Sequence, residues 1–156
     1  MTRFFLALIR LMALALSFIL STLIAACFVT FALFLGGEAH WLHNDPEVLF
    51  SSIGFTFGVW VEISRALFAP FLLFALIAEP ARLTGLITNV VLGGALAAIY
   101  MVITPYTFEL PYSQQELWIT ALAAGFVGGL AHWIFAGNRA GRWLGPPKVS
   151  PSQAEQ

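Results

Sequence analysis

The chain has 156 residues, of which 60% are hydrophobic and 10% charged, and its formal net charge is −1. Ordinary soluble domains run to about 45–50% apolar and about 25% charged residues, so this composition excludes a water-exposed globular domain, and the near-neutral balance offers nothing to nucleic acid. The lone cysteine, Cys27, excludes an internal disulfide framework and a cysteine-based zinc site.

Four apolar runs follow one another, separated by short polar breaks. A helix crossing a bilayer needs about 20 mostly apolar residues. Backbone groups in lipid must be satisfied within the segment, so each continuous run is read as a helix. The first is expected over 4–36, ending at Gly36-Gly37. The second is expected over 46–78, opened by Asp45-Pro46, a capping residue with proline in the first turn, and closed by Glu79-Pro80. The third and fourth are expected over 83–104 and 115–137, separated by a stretch that contains Pro105 and Pro111. The fold class is therefore all-α: a polytopic membrane protein with four transmembrane helices arranged as two antiparallel hairpins in one domain, 1–137. Residues 138–156, with Pro146, Pro147 and Pro151 among polar side chains, are expected to form a disordered tail.

Charge sets the orientation. Arg3, Arg10, Arg65, Arg82, Arg139, Arg142 and Lys148 all fall on one side of the four-helix arrangement, whereas the loops at 38–47 and 106–116 hold only acidic charges. Basic flanks stay inside, so both termini are expected in the cytoplasm of a bacterial inner membrane. Trp41, Tyr106, Tyr112 and Trp118 fall at the outer interface and Trp133 and Trp143 at the inner one, where aromatic rings with a polar edge are favoured.

The N-terminal run also has the outline of a secretory signal, and Ile24-Ala25-Ala26-Cys27 that of a lipoprotein cleavage box. Apolar sequence continues from Phe28 to Leu35, so a retained anchor is expected, with Cys27 packed between helices. The first two runs exceed what a bilayer requires. At 1.5 Å per residue the second would reach about 46 Å from Val48, which places 4–10 and 68–78 at or beyond the inner interface and makes Pro70 a candidate kink.

Small residues recur at four-residue spacing. Gly85, Asn89, Gly93 and Ala97 share one face of the third helix; Ala121, Gly125 and Gly129 share a face of the fourth, with Gly128 beside it. Such faces let backbones approach closely, and the short connection favours packing between these two helices over a homodimer.

Ionisable and amide side chains at membrane depth are costly and mark candidate sites. Glu62, Asn89 and His132 fall at matching depths, each about 9–10 Å inside the inner boundary by helical rise. They form a candidate polar cluster with Arg65 nearby. The simpler alternative is a self-neutralising Glu62–Arg65 pair three residues apart on one helix and a neutral, hydrogen-bonded His132. His40 and His43 in the acidic outer loop lack the spacing and the intervening Glu of helical zinc hydrolases, so no metal is assigned. No phosphate loop, serine elbow or haem-attachment motif is present, and no catalytic residue or cofactor is assigned. These features point to a small integral membrane protein, a non-catalytic accessory or scaffold subunit in contact with lipid and with other subunits or itself. The alternative is a small oligomeric transporter or channel with its site at Glu62, Asn89 and His132.

Overall fold

The structure, a computed structural model, describes residues 2–35, 46–104 and 113–141. Four helices make up almost all of it: α1 (Thr2–Leu35), α2 (Pro46–Ala78), α3 (Leu86–Ile103) and α4 (Gln114–Phe135), followed by a 3₁₀ turn at Gly137–Arg139. No strand occurs among the described residues. All four helices are long and apolar enough to cross a membrane, and the chain is a small multi-pass membrane protein. Residues 36–45 (with His40, Trp41 and His43), residues 105–112 (with Tyr106 and Tyr112) and the residues from Arg142 onward lie outside the described residues.

Local sequence accounts for the helix ends. Ser113 caps α4 reciprocally: its hydroxyl accepts from the Glu116 N–H, and the Glu116 carboxylate accepts from the Ser113 N–H. Pro46 begins α2, where a missing N–H costs nothing. The same helix runs unbroken through Pro70. It ends at Ala78 in a tight turn in which Leu83 N–H donates to the Ala78 carbonyl and Arg82 takes the left-handed conformation, φ 51°. α3 begins at Leu86 rather than Leu83, because Asn89 turns its amide back onto the Gly85 carbonyl (2.8 Å) and the Leu83 carbonyl (3.3 Å), holding 83–85 outside the helix.

The helices are strung around a ring in the order α2, α1, α4, α3. Along α1 and α2 the rungs of an antiparallel hairpin are visible: the hydroxyls of Thr30 and Thr56 lie 2.8 Å apart, Trp60 and Ser64 both donate to the Thr22 hydroxyl at 3.1 Å, and the rings of Phe18 and Phe71 sit 4.7 Å apart. Such hydroxyl bridges hold helices together where water supplies no hydrophobic drive. Phe18, Phe71 and Ala75 form a buried core flanked by Leu14, Leu67 and Phe74.

α3 and α4 approach far more closely. A Cβ on Gly93 would collide with the Gly125 carbonyl and fall 2.7 Å from the Gly129 Cα, and one on Gly129 would lie 2.5 Å from the Asn89 carbonyl. Gly128 faces away from this seam toward Ser21 and Ala25 of α1, and Gly85 faces only Thr88 of its own helix. α2 and α3 touch least of all the neighbouring pairs.

Two expectations need correction. Cys27 is exposed on α1, not packed between helices, because the buried face passes through Ala25, Ala26 and Thr30 instead. The first four residues of the stretch expected as a tail, 138–141, pack against the bundle. Ala140 is buried, and Gly141, at φ 71°, lies so close to Arg82 and Glu79 that a Cβ would meet the Glu79 carbonyl oxygen at 2.8 Å. Only glycine combines that dihedral with that approach.

Candidate intramembrane site

The polar residues at membrane depth divide into three groups. At the end of the bundle where α1 begins, Arg10 of α1 reaches Glu79 just past α2: its Nε donates to the carboxylate at 2.8 Å, and a terminal guanidinium nitrogen lies 2.6 Å from the same oxygen. Arg10 also donates to the Ala136 carbonyl at 2.9 Å, and Glu79 accepts from the Gly141 N–H at 3.0 Å. One ion pair thus fastens α1, the end of α2 and the end of α4. Sequence reasoning used Arg10 only as a topology signal and Glu79 only as a helix breaker. The available clue was register: Glu79 lies as far beyond Phe71 as Arg10 lies before Phe18.

Ser17 and His132 form the second group. The Ser17 hydroxyl sits 2.8 Å from His132 Nδ1, joining α1 to α4, and Phe71 and Phe74 set their rings edge-on to the imidazole. Serine against histidine is the pairing of a nucleophile with its base. Ser17 is only 1% exposed, so no substrate can reach its oxygen, and the pair acts as an interhelical clasp. Replacing Ser17 by alanine leaves Nδ1 without its partner and is expected to cost about 1–3 kcal/mol. A Ser17→Ala/His132→Phe double-mutant cycle, followed by thermal unfolding in detergent, is expected to show clear coupling between the two positions; additive effects would rule the clasp out.

The third group comprises Glu62 and Arg65, paired at 2.7 Å on α2. The Arg65 side chain is 72% exposed and that of Glu62 39%, so Arg65 points away from the bundle while neutralising Glu62, and that pairing lowers the insertion cost.

Glu62, Asn89 and His132 all line one half-open cavity of about 590 Å³ between the four helices. Within that shared wall each keeps a separate partner: Arg65 for Glu62, the carbonyls of Leu83 and Gly85 for Asn89, and Ser17 for His132. Ser21, Thr22, Tyr100, Thr104 and Thr120 also line a wall that is otherwise apolar, with Phe18, Val29, Leu67 and Leu96 among its members. Sequence reasoning missed Ser21, which lines the cavity and whose hydroxyl is buried without a hydrogen-bond partner among the described residues. The Asn89 side-chain oxygen is in the same state. Beside His132, Trp133 donates its indole N–H to the Thr84 carbonyl at 2.9 Å.

Compared with known protein families, characterised proteins and solved structures, the chain matches none.

Proposed function

We propose that this protein is a non-catalytic accessory subunit of a larger membrane complex, embedded in a bacterial inner membrane with both termini in the cytoplasm. The observation that carries this reading is the unequal length of the two hairpins. α1 has 34 residues and α3 only 18, about 51 Å against about 27 Å at helical rise. The end of α1 before Arg10 extends past the Arg10–Glu79 node as an exposed apolar stretch: Phe4 is 78% exposed, Phe5 63% and Ile9 50%. The adjoining end of α2 adds exposed Leu73, Leu76 and Ile77. Contiguous apolar surface beyond what the bilayer covers is the usual mark of an interaction site. The one-sided distribution of Arg and Lys supports the orientation.

Affinity purification of the tagged chain from native membranes in mild detergent, with mass spectrometry of the eluate, tests the proposal. A foreign subunit in fixed stoichiometry is expected, and a Phe4→Ser/Phe5→Ser variant is expected to lose it while the α-helical spectrum is unchanged. Recovery of the chain alone would reject the accessory reading.

A second reading, a small oligomeric transporter, draws on the common cavity of Glu62, Asn89 and His132. It requires a homo-oligomer, since four helices are few for a pathway. It also requires that Glu62→Gln abolish flux in reconstituted vesicles; unchanged flux would discard this site.

A further inference from the structure

We propose that two copies of this chain pair through the outward face of α2, with Arg65 of each copy bonded to Glu62 of the other. This dimer stands independently of the accessory reading, since it forms whether or not a foreign subunit docks at the start of α1.

Spacing defines the face. Gly54, Gly58, Val61, Arg65, Phe68 and Leu72 follow one another at alternating steps of four and three residues, the repeat of a seam between helices, and all six are exposed. A Cβ at Gly54 or Gly58 would meet no atom within 4 Å, whereas Gly93, Gly125 and Gly129 each lie against the opposite helix of the α3–α4 pair. Glycine weakens a helix, and two glycines one turn apart let a second helix come close. The open pair on α2 is thus a contact surface whose contact lies outside the protomer. Gly58 and Glu62 stand on the side of the stripe that borders the cavity.

The charges identify the occupant. Ser64 donates to Thr22, and Gly128 packs on Ser21, so Arg65 lies level with Gly128, about 11 Å inside the end of α4 at Phe135. Charged side chains at membrane depth ordinarily face protein or a water-filled cavity, yet the Arg65 side chain is 72% exposed. It makes one hydrogen bond among the described residues, to Glu62 at 2.7 Å, and a guanidinium has five N–H groups to satisfy. The face carries both signs within one turn, which makes it complementary to itself. A second copy in the same membrane orientation, related by a two-fold axis along the membrane normal, sets its Glu62 within about 4.5 Å in height of this Arg65. The same contact repeats across the axis. Ion pairs from positions flanking an apolar seam set partner and register in coiled coils, and Glu62, next to Val61, holds such a position. A lipid tail supplies no carboxylate, and a foreign helix would have to bring both a carboxylate and a cation at these two heights.

The test co-expresses two differently tagged copies of the full chain in a Cys27→Ser background and reads their mutual recovery in mild detergent and their disulfide cross-linking in membranes. The tags are expected to co-purify. Val61→Cys, on the seam, is expected to cross-link the copies at least tenfold more than Ile87→Cys, at a position 77% exposed on α3. Gly54→Leu is expected to abolish co-purification while the helical spectrum persists, since the added Cβ meets nothing in the protomer. Arg65→Glu leaves the seam with carboxylates alone and Glu62→Arg leaves it with cations alone, so each is expected to lower recovery of like copies at least tenfold. Co-expressed with one another, these two variants are expected to regain it, because each supplies the charge that the other lacks. An ion pair that served only its own helix would give no such rescue, and recovery of the mixed pair no better than that of either variant alone would overturn the proposal. A monomeric parent chain, equal cross-linking at Val61 and Ile87, or a Val61 cross-link to a foreign protein in place of a second copy would overturn it as well.

Discussion

Replacing Arg10 by alanine is expected to destabilise the folded protein by about 3–5 kcal/mol, the usual cost of stranding one member of a buried ion pair. The side chains of Arg10 and Glu79 are only 12% and 11% exposed, so neither charge has water to fall back on. Glu79→Ala should cost as much, since it strands the guanidinium and also removes the acceptor for the Gly141 N–H. The informative variant is the double one. Arg10→Met/Glu79→Met removes both charges and fills the space with carbon, and it should recover most of the loss, because a well-packed apolar pair often equals a buried salt bridge. Thermal unfolding in detergent micelles, followed by circular dichroism, measures all three. Single variants within about 1 kcal/mol of the parent would show that the pair is solvated and incidental.

Gly93→Leu is expected to separate α3 from α4 and leave no stable bundle. Overpacking a well-filled core costs about 1–3 kcal/mol when side chains can yield. Here even the first carbon meets the Gly125 carbonyl and the Gly129 backbone, which cannot yield without moving the helix, so the loss should exceed that range. Gly129→Leu should behave alike. The controls lie on α2: a Cβ added at Gly54 or Gly58 would have nothing within 4 Å, and alanine at either should be neutral or stabilising by up to about 1 kcal/mol through helix propensity. Separation of cysteine-tagged α3 and α4, read by cross-linking yield, distinguishes the outcomes. Full cross-linking in Gly93→Leu would mean that the glycines are not what brings these helices together.

The helices were legible in the sequence because membrane crossing imposes length and apolarity on a continuous segment. α2 matches its expected range, and the ends of α1 and α4 lie close to theirs. The Gly93–Gly125–Gly129 seam was also legible, since close packing leaves a spacing of small residues. Which faces turn inward elsewhere was not. In water a helix announces its buried face by contrast with a polar one, but in lipid both faces are carbon, and Phe68 (exposed) and Phe71 (buried) read alike. Hence Ser17 as the partner of His132, Ser21 in the cavity wall and Arg10 as the partner of Glu79 emerged only from the three-dimensional arrangement. Asn89 was singled out for its depth, but its backward reach to Gly85, which fixes where α3 starts, is a local geometry that hydropathy does not encode.

The Arg10–Glu79 node also has a bearing on biogenesis. Its parts come from the beginning, the middle and the far end of the chain: Arg10, Glu79, the Ala136 carbonyl and the Gly141 N–H. During synthesis the first helix enters the membrane carrying a cation whose counter-ion has not yet been made, and the last two ligands emerge only after α4. The ion pair can form once Glu79 has been made, but the full set of bonds closes only after α4. Nascent chains arrested before Ala136 should accordingly be digested by membrane proteases faster than those arrested after Gly141.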